Sequence, residues 1–147
     1  MRQYLWQRLS IGRYEKTRNM PAVDFQPTTH DRVMELFPET KQSELVFSAS
    51  TELYLIVDAD TCNIVGMCGF RWGASTVTFK NAYIHPKWRN RGYNKVALDK
   101  RIEMARERGM RRIDGNLTVP SAREWARRGA TIRKRYKNGV ILASFYI

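Results

Sequence analysis

The feature that most constrains this chain is a change of hydrophobic period at Pro86. Before it, residues 53–57 (LYLIV), 64–70 (IVGMCGF) and 76–84 carry the apolar runs of strands. After it, over residues 93–108, Leu98, Ile102 and Ala105 fall on one helical face with Ala97 and Met104 beside them, and Gly109 closes the run as a C-terminal cap. The join reads Tyr83-Ile84-His85-Pro86-Lys87-Trp88-Arg89-Asn90-Arg91-Gly92-Tyr93-Asn94, with Pro86 and Gly92 punctuating a turn just before the helix. A turn of this kind presents successive backbone N–H groups at the positive end of a helix dipole, a site that favours phosphate. Gly92, without a side chain, lets the backbone approach the anion closely.

Around this join the remaining elements follow from punctuation. Residues 4–11 read as a first strand. Thr28 or Thr29 caps a short helix over residues 28–37, with Asp31 in its first turn, Val33, Leu36 and Phe37 on one face, and Pro38 as its stop. Asp58 to Asn63 is the polar loop of a hairpin, and residues 71–75 turn into a third strand, which makes an antiparallel meander. Residues 111–119 read as a strand, Pro120 and Ser121 open a second helix that ends at Gly129, and the chain closes on a hairpin. In that hairpin TIRKRY and VILASFYI flank Asn138-Gly139, the dipeptide suited to the two positive φ angles of a type I′ turn. The sequence has no repeat and no linker.

Charge is distributed unevenly. Residues 1–85 carry nine basic and nine acidic side chains, whereas residues 86–137 carry 17 basic and five acidic ones, so the whole surplus of +12 sits in the stretch that holds the turn. Such concentration points to an anionic partner. Cys62 and Cys68 lack the companions a zinc site needs and read as free structural thiols, and no metal is expected. No apolar run is long enough to span a bilayer and the N-terminus lacks the core of a signal peptide, so no membrane partner and a cytoplasmic location are expected, that of the host if the chain is phage-encoded.

The segment at the join resembles the signature R-x-x-G-x-G/A of the GNAT N-acetyltransferases. Arg89 and Gly92 match it, and Asn94 stands in the place of the final Gly or Ala. The likeness extends over residues 53–145, through a strand, V-x-P-x-x-R-x-x-G, helix, strand run at residues 84–117 and a helix ending in Gly at residues 125–130. The resemblance implies an α/β (α+β) fold with a mixed, mostly antiparallel sheet flanked by helices, in a single domain over residues 1–147. It implies an acyl-CoA, acetyl-CoA foremost, as cofactor, held by Ile84, Arg89, Asn90, Arg91, Gly92, Tyr93 and Asn94.

Two catalytic positions of that family hold other residues in this chain. Thr78 stands where many members place a basic carboxylate, and Trp125 stands four residues before Gly129, where many place a tyrosine that protonates the departing thiolate. Neither side chain performs that chemistry. Candidate substitutes are Asp114 as base, and Tyr83, Tyr93 and Ser121 as proton donors if they face the cleft. CoA accounts for part of the charge surplus, and nucleic acid, DNA or tRNA, is the candidate for the rest. Arg123, Arg127 and Arg128 on the short helix and Arg133, Lys134 and Arg135 on the next strand form the basic cluster, among which Trp125 and Tyr136 are placed to stack on an unpaired base. The leading reading is an acyl-CoA-dependent N-acyltransferase. The alternatives are a Mom-like enzyme modifying adenine in DNA, which this chain resembles in being short, basic and without the usual acid and base, and a catalytically inactive GNAT-shaped nucleic-acid-binding module. A small amine, a protein lysine or N-terminus, an aminoacyl-tRNA and a nucleobase all stay open as acceptors. The apolar C-terminal strand is expected either to be buried or to pair with another subunit.

Overall fold

A computed structural model describes residues 20–42 and 50–147; the strand expected at residues 4–11 lies outside them. Its elements in chain order are β1 (Val23–Thr28), α1 (His30–Leu36), a 3-10 turn (Pro38–Gln42), β2 (Glu52–Asp58), β3 (Ile64–Trp72) and β4 (Thr76–Ile84). After a second 3-10 turn (Pro86–Trp88) come α2 (Tyr93–Glu107), β5 (Arg112–Leu117), α3 (Val119–Arg127), β6 (Thr131–Arg135) and β7 (Ile141–Tyr146). Among the described residues seven strands form one sheet in the order β1-β2-β3-β4-β5-β7-β6, in which β4 and β5 alone pair in parallel and the other neighbours are antiparallel. The mixed, mostly antiparallel sheet flanked by helices is the expected class.

Two details depart from the sequence reading and a third decides between its alternatives. The meander has a further strand, β1, at the edge of the sheet formed by the described residues; its sequence VDFQPT conceals it because Pro27 cannot donate to a ladder, a defect tolerated at an edge. The closing hairpin is not a type I′ turn, since Gly139 (φ 88°) has positive φ and Asn138 does not. Gly139 N–H bonds to Tyr136 O and Tyr136 N–H to Val140 O, the longer loop in which one left-handed glycine follows a turn. The C-terminal strand, finally, lies inside the sheet with β5 on one side and β6 on the other, so both its edges are used and it cannot pair with a second subunit.

The sheet is packed on both faces. Leu53, Leu55 and Val57 of β2 and Met67 of β3 meet Val33 and Phe37 of α1 on one face. Tyr54, Ile56, Phe70, Phe79, Ile113 and Phe145 meet α2 and Trp125 of α3 on the other. Alternation along each strand produces this partition, and in β2, buried on both sides, both alternating sets are apolar. Thr29 caps α1 by accepting a bond from Arg32 N–H (3.2 Å). Cys68 is buried and Cys62 exposed, and both are free. Among the described residues no helix is long and apolar enough to cross a membrane, and no cluster of acidic, His and Cys side chains could hold a metal.

Candidate functional site

The site begins where two strands part. β4 and β5 pair from Thr76↔Arg112 to Phe79↔Gly115 and no further, although β4 continues to Ile84 and β5 to Leu117. An irregularity in β4 accompanies the parting: Gly69 faces Lys80 but Met67 faces Tyr83, so β4 holds one extra residue there. A bulge of this kind bends a strand away from its neighbour. The gap is a cavity of about 200 Å³, lined by Phe79 and Ala82 of β4, Asn94, Leu98 and Arg101 of α2, Asn116 and Leu117 of β5, and Ser121 and Trp125 of α3.

At the mouth of this cleft lies the Arg-Gly turn. Arg89 Nε donates to Ile84 O (2.8 Å), folding the turn back on the strand it leaves. Asn90 (φ 63°) and Gly92 (φ 88°) are both left-handed, a conformation that Asn tolerates and Gly adopts freely. Gly92 is the N-cap of α2 and supplies no side chain to cap it, so the first-turn N–H groups are left for another acceptor. Its positive φ by itself favours Gly at position 92, and a Cβ there would also meet Met20 Cε at 2.8 Å and Pro21 Cδ at 3.3 Å. Exposed Arg91 and Lys87 lie over the Trp88 ring and add positive charge to the turn.

Of the candidate proton donors and base, the fold brings Ser121 to the cleft and leaves the others elsewhere. Tyr83 points to the α1 face, where its hydroxyl donates to Glu39 and its ring meets Phe37 edge-on. Burial, with that bond, pushes its pKa up to about 12. Strict alternation from Phe79 would have put Tyr83 on the cleft side; the extra β4 residue turns it over and places Ala82 and Ile84 there instead. Tyr93 is buried and donates to Asp58 Oδ2 (2.5 Å), tying the start of α2 to the β2–β3 turn. Burial and this bond push its pKa up to about 12. Asp114 alternates with Ile113 and Gly115 and faces away from the helices. Its carboxylate is bound to Arg112 Nε (3.0 Å), accepts from Ser144 Oγ (2.6 Å) and has Arg133 at 3.9 Å, and it does not line the cavity. Thr78 is its register partner on β4.

The basic cluster also divides. Arg123, Arg127, Arg133, Lys134 and Arg135 are exposed. Arg128 is not free: it pairs with Asp99 and with Glu124 Oε2 (3.0 Å) and clamps α3 to α2. Trp125 is 4% exposed, stacked on Phe145 and edge-on to Phe79, so it cannot stack on an unpaired base; Tyr136, 39% exposed, is open to solvent. A one-residue irregularity in β6 between Ile132 and Lys134 breaks the simple alternation expected of Arg133, Lys134 and Arg135.

The sequence reading missed Arg101. It stands between Ala97 and Ala105 on the four-residue spacing that marks the buried face of α2, and that spacing was the signal available. Its side chain is buried against Phe79 (4.3 Å to the ring centroid) and donates to Gly69 O (2.8 Å) and Lys80 O (3.2 Å), carbonyls of a facing pair on β3 and β4 at one end of the β4 irregularity.

Comparison with known proteins finds a match between residues 14–129 and the model of the acetyltransferase (GNAT) family. No curated protein matches the sequence significantly. Among solved structures, a GNAT family acetyltransferase from Elizabethkingia anophelis with acetyl-CoA bound is 18% identical, with a TM-score of 0.62 over 85% of this chain and 98% of that one. The ribosomal-protein-S18-alanine N-acetyltransferase from Escherichia coli is 9% identical, with a TM-score of 0.67 over 86% and 94%. The spermidine N-acetyltransferase from Vibrio cholerae, whose structure is dodecameric, is 8% identical, with a TM-score of 0.67 over 85% and 92%. At these identities the likeness is one of fold.

Proposed function

The chain belongs to the acetyltransferase (GNAT) family, and from that premise we propose that it is a single-domain, acyl-CoA-dependent N-acyltransferase that takes acetyl-CoA at the β4–β5 cleft. The observation that carries this reading is the coincidence of the strand parting with the uncapped start of α2: a slot for an extended arm opens where N–H groups and basic side chains await phosphate.

The residues fit the cofactor. The turn from Arg89 to Asn94 and the first N–H groups of α2 would hold the pyrophosphate, with Arg89 and Arg91 as neighbouring cations. The amide side chains of Asn94 and Asn116 and the unladdered edge of β4 offer hydrogen bonds to the arm. When bound, acetyl-CoA supplies an activated acyl thioester. Phe79, Leu98 and Trp125 give the cavity apolar walls, and Ser121 in the first turn of α3, with the positive end of that helix, would offer a hydroxyl to the negative charge that develops during acyl transfer. A thiol, with a pKa of about 8.5 in cysteine, leaves without much help from an acid.

The exposed Arg123, Arg127, Arg133 and Arg135 favour a polyanionic acceptor, and with it the nucleic-acid reading: an aminoacyl-tRNA, or a base in DNA as in Mom-like modification. The same residues would serve a GNAT-shaped module that binds nucleic acid without turnover, and acyl transfer to DNA or tRNA separates the two.

The test is calorimetric titration of acetyl-CoA into the wild-type protein and Ala82→Phe. Ala82 is exposed and lines the slot, so the ring fills the cleft without entering the core. Wild-type binding, weakened at least about tenfold in the variant at an unchanged melting temperature, is expected. An absence of binding by the wild-type protein would overturn the reading.

A further inference from the structure

We propose that the acyl group preferred in this cleft is a short dicarboxylic one, of the succinyl type, and that Arg101 receives its terminal carboxylate. The inference rests on the acyl-CoA reading above and names the substrate class of the same site.

Arg101 is 4% exposed, and its protein partners are two carbonyls and two aromatic faces, Phe79 and Phe70. Its Nε is buried without an acceptor. Among the described residues no carboxylate pairs with it. Cys68 provides no compensation, since burial pushes its thiol up to about 11 and keeps it neutral. Elsewhere the molecule handles a partly buried guanidinium in the usual way: Arg128 has both Asp99 and Glu124. Bridging two carbonyls at a β-bulge needs donors but not a full positive charge, and a buried cation without a counter-ion is strongly unfavourable. The arrangement therefore asks for an anion from outside the chain.

The cavity says where that anion comes from. Asn116 and Ser121 line the same cavity as Arg101, Cys68 and Ile56, so the space at the parted strands also reaches residues of β3 and β2, and Glu124, the carboxylate that lines it, is held by Arg127 and Arg128. Arg101 is seven residues beyond Asn94, roughly 10 Å along the helix at about 1.5 Å per residue, so only the far end of a group threaded past the mouth reaches it. At about 200 Å³ the cavity has space beyond an acetyl methyl. The two phenyl rings hold the guanidinium plane and leave an edge for a carboxylate, the geometry in which Arg binds one best. In the reaction the nitrogen of the free amine would form its bond to the succinyl carbonyl carbon as the C–S bond breaks, CoA leaving as the thiolate and taking up, through solvent, the one proton that the amine gives up; the distal carboxylate is unchanged.

Succinyl-CoA, butyryl-CoA and acetyl-CoA, titrated calorimetrically into the wild-type protein without an acceptor, test this directly, because succinyl and butyryl have the same number of carbons and differ in the terminal carboxylate. Succinyl-CoA should bind at least tenfold more tightly than butyryl-CoA, and Arg101→Met should reduce that ratio to one or below. Equal binding of the two by the wild-type protein, with acetyl-CoA bound normally, overturns the acyl inference and leaves the transferase reading intact. No binding of any of the three overturns both. Since Arg101→Met also removes donors from the bulge, its fold is checked by thermal melting, and the wild-type comparison decides the matter even if the variant does not fold.

Discussion

Gly115 and Trp125 form a matched pair of sizes at the cleft floor, and changing either one tests the packing that shapes it. A Cβ on Gly115 would stand 2.5 Å from Cη2 and 3.1 Å from Cζ2 of Trp125, and 3.1 Å from Leu117 Cδ2. Favourable carbon contacts lie near 3.5–4.0 Å, so the indole would have to withdraw by about 1 Å. It is held in place by Phe145 stacked at 4.8 Å and Phe79 edge-on at 5.9 Å. Over-packing in such a setting costs about 1–3 kcal/mol. For a chain of this length each ~1 kcal/mol moves Tm by roughly 3–5 °C, so Gly115→Ala is expected to melt about 3–15 °C lower. Trp125→Phe removes the ring atoms that collide, and in that background Gly115→Ala should cost little, giving a coupling of about 1–3 kcal/mol in a double-mutant cycle. Urea unfolding of the four proteins, followed by circular dichroism, measures it. Wild-type stability in Gly115→Ala, or effects that add to within about 0.5 kcal/mol, would refute the size-pair argument.

Other consequences are open to direct measurement. Tyr93→Phe should cost about 1–2 kcal/mol at pH 7 by removing the hydroxyl bond to Asp58. That bond holds the Asp58 carboxyl below its ordinary range, so the stability it contributes is present above about pH 3.9 and is lost as pH falls through the lower folded pKa; the melting difference between variant and wild type should shrink in acid. At the alkaline end Tyr93 has its folded pKa raised to about 12, so the same difference should narrow as pH rises from about 10 toward that value. If the basic surface binds nucleic acid, Arg133→Ala and Arg135→Ala should each reduce the slope of log affinity against log salt by about one, whereas Arg128→Ala, which breaks a clamp between helices, should lower Tm and leave the slope unchanged. Ser121→Ala should lower kcat by about tenfold with little change in KM for the acyl donor, and an unchanged kcat would remove Ser121 from the proposed chemistry.

What was legible in the sequence is what local chemistry dictates. The change of period at Pro86 and the cap at Gly109 placed α2 to within a residue, and the Arg-Gly turn fell where it was expected. The parting of β4 from β5 was not legible, since it depends on a parallel pairing between strands separated by the whole of α2 and on one extra residue in β4. That residue also decides which side chains face the cleft, which is why Tyr83, which strict alternation from Phe79 would put there, lies on the other face and Ala82 takes its place. Arg101 hid for a different reason: a charged residue within a helical pattern is read as solvent-facing, and its burial becomes sensible only once the bulge carbonyls it bridges are known.

Glu124, the carboxylate that lines the cleft, is engaged by Arg127 and Arg128, and no tyrosine among the described residues lines it, so the proposed transfer has to rest on orientation, and the magnitudes allow it. General acid–base catalysis contributes typically about 10²–10⁴-fold, equivalent to roughly 3–5 kcal/mol, whereas holding two reactants in a reactive geometry supplies roughly 7–11 kcal/mol. A cleft that fixes the donor between β4, β5 and α3 therefore keeps the larger share of the rate provided the acceptor arrives as a free amine. The dependence of kcat/KM on pH should accordingly rise along a single limb with the pKa of the acceptor's own amine, and move when an acceptor of different basicity is used. Asp114→Asn should leave the rate within about threefold, because that carboxylate is engaged with Arg112 and Ser144 on the far face of β5. A limb that stays fixed across acceptors, or a loss of a hundredfold or more in Asp114→Asn with its fold intact, would mean that the chain does contribute a base, with Asp114 in that role once the acceptor is bound.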